Sequence, residues 1–432
     1  MQSVPHPAGT PAEPDPALAG ADPTDTPAVV PLTEPAEGVP GVVDTPEAFA
    51  RVVEAFGAGT GPVAVDAERA SGYRYGQRNY LVQARREGAG TALIDPAALP
   101  DLSPLSDALV GVEWVLHAAS QDLPALAEQG MRPSRVFDTE LGARLLGLER
   151  VGLAAVVAEL LGLGLSKEHS AVDWSTRPLP QQWLRYAALD VEVLVELRAV
   201  LAERLAVAGK AQWAAEEFEA VRLAPPPAPR VEAWRRVSGV HAIRDPRRLA
   251  VVRSLWATRD ENARQRDISP GRVLPDTAVV AAAQALPRSV PQLVALPQFS
   301  GKGTRRRAVL WQSAIDEGLA LADDQLPSAR GPRSDGPPPP RAWVERDPAA
   351  AARLAAARTV IADLSEAHQV PAENLLQPDL LRRVCWTPPE PADADHLAER
   401  LTAGGARPWQ VGLLAPRLAD AFAALGATTG GA

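Results

Sequence analysis

At 432 residues the chain has room for about three domains of roughly 150 residues each, and 46% hydrophobic with 22% charged residues is an ordinary globular balance. No uncharged apolar run approaches the ~20 residues of a transmembrane helix, no basic-then-apolar start marks a secretory signal, and the single cysteine, Cys385, excludes a disulfide framework or a cysteine-rich zinc module. The net charge of −9 averages over a strongly segregated chain, and together these features fit a cytoplasmic protein with no membrane partner.

Residues 1–50 hold eight acids, no Lys or Arg, and ten prolines before Gly41. Such a stretch buries too little apolar area to offset the entropy of ordering, so residues 1–40 are expected to form a disordered acidic tail. The segment 41–222 then alternates helix and strand patterns. Thr45-Pro46-Glu47 reads as an N-cap with proline at the first helical position, opening a helix to Phe56. Pro62–Asp66, Tyr80–Gln83 and Thr91–Ile94 read as strands, followed by a helix near Leu102–Val110 and a strand at Trp114–Ala118. Three or four helices complete the domain through Val207. That order predicts an α/β fold, a sheet with helices packed on its faces.

A proline cluster at Ala224–Pro229 separates this domain from a helical segment, 230–312. Residues 230–310 carry sixteen Lys/Arg against six Asp/Glu. A chain that segregates charge in this way keeps the basic block for an acidic partner, nucleic acid being the commonest; a solvated arginine-rich surface is the other reading. The candidate contacts are Arg235, Arg236, Arg244, Arg247, Arg248 and Arg253 near its first helix, and Lys302, Arg305, Arg306 and Arg307 at its end. Phe299–Gly303 lacks the glycine-lysine spacing and the preceding strand of a phosphate loop, which argues against ATP binding. A proline-rich linker, 325–341, leads to residues 342–428. Asp245-Pro246 and Val273-Leu274 recur there as Asp347-Pro348 and Leu375-Leu376, at a common offset of 102 residues, so the two segments read as copies of one all-α module.

Four carboxylates stand out in the first domain. Asp66 and Glu68 lie two apart at the end of an apolar strand and therefore point to one sheet face. Asp122 follows the Trp114–Ala118 strand, at the start of a helix that Ser120 can cap. Asp190 lies on a helix with Tyr186 four residues earlier, on the same face. Carboxylates so placed can hold Mg²⁺ or Mn²⁺, and two such ions about 4 Å apart can activate water and stabilise the leaving oxygen of a phosphodiester. Taken singly, each element also fits a solvated turn or a surface pair. Asp138, before Thr139 and a helix, reads as an N-cap, and His117 as a packing or hydrogen-bonding residue. Lys167 reads as a loop residue, reaching either phosphate or solvent.

The motifs Val65-Asp66-Ala67-Glu68, His117-Ala118-Ala119-Ser120-Gln121-Asp122 and Tyr186-Ala187-Ala188-Leu189-Asp190 resemble the three motifs of the DEDD 3′→5′ exonucleases, in the branch that carries tyrosine in the third. Tyr80–Gln83, Leu93–Pro96, Phe137–Thr139 and Asp173–Leu179 are similar to segments of the ribonuclease D family, and the basic module with its Arg272–Asp276 stretch is similar to an HRDC domain. The resemblance implies a ribonuclease H-like exonuclease domain, a mixed sheet with flanking helices, followed by two small all-α HRDC-like modules. It further implies that Asp66, Glu68, Asp122 and Asp190 ligate two Mg²⁺ or Mn²⁺ ions while Tyr186 orients the attacking water. The implied activity is removal of 5′-mononucleotides from RNA 3′ ends, transfer RNA precursors being the typical substrate, by a monomer. A DNA 3′→5′ exonuclease and a non-catalytic RNA-binding protein on the same scaffold are the alternatives. Ala67 stands where the family often has Thr, and Arg69 where an aromatic is usual.

Overall fold

The computed structural model describes residues 29–166, 169, 171–226, 228, 230–331 and 335–429. The tail expected over residues 1–40 therefore lies outside the described residues up to 28, and so does Lys167. Residues 29–40 correct that expectation, because they are laid down on the folded domain. Strand β1 (Val30–Pro31) pairs in parallel with β8 (Leu163–Gly164). Glu34 forms an ion pair with Arg185 at 3.0 Å, and Glu37 one with Arg85 at 3.3 Å.

The central sheet has six strands: β2 (Val42–Val43), β3 (Thr60–Arg69), β4 (Asn79–Glu87), β5 (Gly90–Ile94), β6 (Glu113–Leu116) and β7 (Arg135–Asp138). Their spatial order is β2-β5-β4-β3-β6-β7. Antiparallel β3-β4-β5 pairs occupy the middle, and parallel β2, β6 and β7 flank them, so the sheet is mixed as expected. Helix α1 (Pro46–Ala58) begins as its sequence dictates, with Thr45 Oγ1 accepting from the Ala48 amide. Alternation along β3 sends Val63, Val65 and Ala67 to a layer with Phe56, Leu105 and Trp114. Ala64, Asp66 and Glu68 consequently face the other side. Helix α2 (Ser103–Ala108) matches the expected helix, whereas β7 was not anticipated as a strand.

On the face of Asp66 and Glu68 lie α4 (Thr139–Leu145), α5 (Leu153–Leu161), α6 (Gln181–Glu192), α7 (Leu194–Val207) and α8 (Ala211–Arg222), while the short α3 (Leu123–Glu128) packs Leu126 into the Val63–Val65 layer on the other side. Helix α6 packs across β3, β4 and β5. Ahead of it, Arg177 clamps the 173–179 loop to the sheet, bonding both oxygens of Asp95 at 2.7 and 2.6 Å and the Tyr80 carbonyl at 2.8 Å. Trp174 is fully buried beneath that clamp.

The basic segment forms its own helical unit: α9 (Pro246–Gln265), α10 (Pro270–Val273), α11 (Asp276–Ala285), α12 (Val290–Val294), α13 (Lys302–Arg306) and α14 (Ala308–Ala320). It encloses a separate core around Leu255, Phe299 and Trp311. The last segment contains α15 (Trp343–Arg346), α16 (Pro348–His368), α17 (Ala372–Leu375), α18 (Pro378–Trp386), α19 (Ala394–Ala403) and α20 (Pro408–Thr429). A long helix, one short turn of helix and a medium helix follow one another in both units, each long helix capped by its aspartate, Asp245 or Asp347. The last unit differs in one respect. Its Leu354, Leu364 and Leu401 share a single core with Leu197, Leu201 and Phe218 of the first domain.

Candidate metal centre and nucleic-acid surface

Strand β3 runs past Asp66 to Arg69, so the two carboxylates sit inside the strand rather than at its end. Asp66 pairs in register with Gln83 of β4, whose amide donates to its Oδ2 at 2.9 Å. Gln83 is fully buried and its Oε1 has no hydrogen-bond partner. Asp190 reaches the same place from α6. One carboxylate oxygen from each of Asp66, Glu68 and Asp190 lies within 4.8 Å of the others. Tyr186, one turn earlier on α6, is hydrogen-bonded to Asp190.

Asp122 arrives by a different device. After β6 the chain turns through Ala118 in the left-handed region (φ 59°) into a 3₁₀ turn, Ala119–Gln121. Asp138 holds that turn: its oxygens accept from the Ala118 and Ala119 amides at 3.1 and 2.8 Å, and from Glu140 and Leu141 as the N-cap of α4. The N-cap expectation for Asp138 is met, and the same carboxylate also positions the turn before Asp122. Ser120 does not cap α3, because it lies within the 3₁₀ turn and Asp122 itself occupies the N-cap position. Asp122 is not one of the mutually close trio, and its Oδ1 forms an ion pair with Arg69 at 3.3 Å. His117 bonds Thr139 Oγ1 at 2.9 Å, and burial pushes it down to about 4, so it is neutral and structural.

Electrostatically the cluster is under strain without a cation. Burial, then the neighbouring carboxylates, push Glu68 up to about 10 and Asp122 up to about 8. Burial pushes Asp66 up to about 6 against the hydrogen bonds and the Arg69 charge that lower it, and burial, then the Asp66 charge, carries Asp190 well above the usual carboxylate range. A hard divalent cation relieves both causes, since it supplies opposite charge to four buried carboxylates that share only the Arg69 guanidinium. The donor set, all carboxylate oxygen, fits Mg²⁺ or Mn²⁺ and does not suit a soft metal.

Beside Tyr186 and Asp190 opens a cavity of about 600 Å³, with Arg185, Gln182 and His169 as its polar wall and Leu32 of the N-terminal segment opposite. The His169 and Tyr186 rings meet edge to face at 5.9 Å. Gln83 and His169 were not among the residues expected at the site. Gln83 was visible only as part of the Tyr80–Gln83 segment, and no sequence signal linked His169 to Tyr186.

The ten basic candidates divide. Arg236, Arg244, Lys302, Arg305 and Arg306 are exposed, Arg248 and Arg307 half-buried. Four are already committed within the unit, contrary to expectation, Arg307 through the Gly303 carbonyl at 3.4 Å. Arg247 bonds the carbonyls of Leu319 and Leu321 at the end of α14 and pairs with Asp323. Arg253 bonds the Gln325 carbonyl at 3.1 Å, and Arg235 pairs with Glu232 while lying 4.2 Å over the Trp234 ring. Arg266, missed in the sequence, is exposed and adds to the charge around Arg306 and Arg307. This unit docks on the loop after Arg69. Asp267 receives Arg78 at 2.7 Å, and Arg272 lies 4.1 Å over Tyr73.

A mixed sheet carrying three convergent carboxylates, with a tyrosine on the same helix turn as one of them, defines a 3′–5′ exonuclease domain, and a family model of that description matches residues 40–206. An HRDC domain model matches residues 248–315, and a model described as a 3′ to 5′ exonuclease C-terminal domain matches residues 336–422. The chain belongs to the ribonuclease D family. It is 33% identical over 279 residues to the ribonuclease D of Zymomonas mobilis, covering 61% of this chain and 69% of that one. It spans 59–65% of the length of several other curated relatives of that name. Among solved structures, a protein from Bifidobacterium adolescentis superposes with a TM-score of 0.84 at 39% identity, covering 91% of this chain and 99% of that one. Escherichia coli RNase D superposes with a TM-score of 0.61 at 28% identity, covering 80% and 89%. No helix among the described residues is long and apolar enough to cross a membrane.

Proposed function

We propose that the chain is a 3′→5′ exoribonuclease that trims RNA 3′ ends, transfer RNA precursors among them, by two-metal-ion hydrolysis releasing 5′-mononucleotides. The observation that carries the reading is the meeting of Asp66, Glu68 and Asp190 within 4.8 Å, in a chain of a family whose Escherichia coli member is described as an exoribonuclease involved in structured RNA processing. Asp66, Glu68, Asp122 and Asp190 would hold two Mg²⁺ or Mn²⁺ ions. When bound, these supply an activated water and charge stabilisation for the departing 3′ oxygen. Tyr186 orients that water through its hydroxyl, whose own ionisation is suppressed by burial and by Asp190. Gln83 fixes Asp66 in one rotamer. The cavity beside Tyr186 receives the terminal nucleotide, and the cations Arg236, Arg244, Arg248, Lys302, Arg305 and Arg306 grip the RNA body through its phosphates. In this reading the protein works as a cytoplasmic monomer.

The test incubates full-length protein with matched 3′-labelled RNA and DNA oligonucleotides in Mg²⁺, in Mn²⁺ and in chelator. Metal-dependent release of 5′-mononucleotides from RNA, lost by orders of magnitude in Asp66→Asn, is the expected result. Turnover that survives chelation, or a folded Asp66→Asn variant of wild-type rate, would sink the reading, and equal activity on DNA would remove its RNA specificity.

A further inference from the structure

Arg69 places a cation inside the carboxylate cluster. Its guanidinium, one residue beyond Glu68 on β3, pairs with Asp122 Oδ1 at 3.3 Å and donates to the Gln121 carbonyl. The two side chains are 22% and 8% exposed, so the pair is largely shielded from water. The same guanidinium acts electrostatically on Asp66, Glu68 and Asp122. A second divalent ion at Asp122 must therefore compete with a resident positive charge a few ångströms away, and like charges at that range repel strongly in a shielded site. The alternative partner that suits a planar, forked guanidinium is a phosphate, which it can bind through two parallel hydrogen bonds.

We propose that Arg69 is the resident counter-ion of Asp122, exchanged for the second metal ion when a substrate phosphate takes over its guanidinium. The inference rests on the metal-centre reading given above. It makes Arg69 a positioning residue that couples metal loading to RNA. The first ion, held by Asp66, Glu68 and Asp190, binds the free protein. The second binds tightly only with the nucleic acid in place, which keeps the complete hydrolytic centre from assembling around solvent water. No covalent step is involved, only the trading of one ion pair for two.

The test is an Mn²⁺ titration of the full chain followed by electron paramagnetic resonance, with wild type, Arg69→Met and Arg69→Lys, each without and with saturating adenosine 5′-monophosphate as the phosphate probe. Without nucleotide, Arg69→Met should bind the second ion about tenfold tighter than wild type, because the competing charge is gone. Arg69→Lys should stay near wild type. Nucleotide should tighten the second ion more in wild type than in Arg69→Met. Unchanged or weakened second-ion binding in Arg69→Met, with the first ion bound normally, would overturn this proposal alone, as would an equal nucleotide effect in both proteins. A wild type that binds no Mn²⁺ at all would remove the metal-centre reading and this proposal with it.

Discussion

Loading the carboxylate cluster with a divalent cation is expected to expel protons at neutral pH. In the metal-free site Glu68 is pushed up to about 10, Asp122 up to about 8, and Asp190 well above the usual range. At pH 7 these groups hold protons that the cation must displace, because it ligates bare carboxylate oxygen. Release of about three protons per chain, one from each of these groups, is expected on saturation with Mg²⁺, read by isothermal titration calorimetry in two buffers of different ionisation enthalpy. The same protons set the sign of the stability change. These acids have folded pKa values raised above their unfolded ones, so the native chain binds more protons than the unfolded chain throughout that interval. Metal-free stability is therefore lost as pH rises, by about 1.4 kcal/mol per pH unit for each such group. The contribution of Asp122 runs from its unfolded value of 3.8 to about pH 8, and that of Glu68 from 4.5 to about pH 10. Saturating Mg²⁺ should flatten the slope between pH 6 and 9. Release of under about half a proton, or denaturation midpoints that fall equally with and without Mg²⁺, would refute the electrostatic account of the site.

Four further outcomes are expected. Tyr186→Phe removes only a hydroxyl from the site, so turnover should fall while RNA affinity, measured by fluorescence anisotropy in Ca²⁺, stays within about twofold; an equal loss in both would make Tyr186 a binding residue. Replacing Arg236, Arg244, Lys302, Arg305 and Arg306 by Gln should flatten the salt dependence of RNA binding by roughly 0.7 log units per log unit of salt for each lost contact. Arg247→Gln should instead lower the melting temperature with the salt slope unchanged, since its partners are the end of α14 and Asp323. Asp138→Ala strips the acceptor of four backbone amides at a buried position, and should cost about 2–4 kcal/mol in urea denaturation, cap and buried hydrogen bonds together.

What the sequence made legible follows from short-range geometry. Alternation along a strand puts Asp66 and Glu68 on one face, and a helical repeat of four joins Tyr186 to Asp190, so these relations needed no knowledge of the sheet. The clamp of Arg177 on Asp95 and the register of Gln83 against Asp66 span distances in sequence that no local pattern encodes. Strand β7 is four residues bounded by Pro133 and a cap, too short for periodicity to show. Residues 29–40 were misjudged because composition weighs a segment against water. Their real partners are Gly164, Arg185 and Arg85, supplied by a domain already folded. Counting arginines likewise could not separate Arg244, which faces solvent, from Arg253, which bonds a carbonyl.

The core that residues 342–429 share with the exonuclease domain changes how the chain divides. Lys210 bonds the carbonyls of both Leu145 and His368 at 2.6 Å, Trp213 stacks on Trp409 at 4.6 Å, and Glu217 accepts from Trp409 and Gln410. Cutting the polypeptide after Leu223 would strip one side of the nuclease rather than release an accessory. The HRDC unit, by contrast, is an excursion out of a two-part body, entered at 224–229 and left at 325–341, with its own core. The separable piece of this chain lies in the middle of its sequence. Its excision calls for joining the two proline-rich ends, and the bonds of Lys210, Trp213 and Glu217 to the last segment do not involve it.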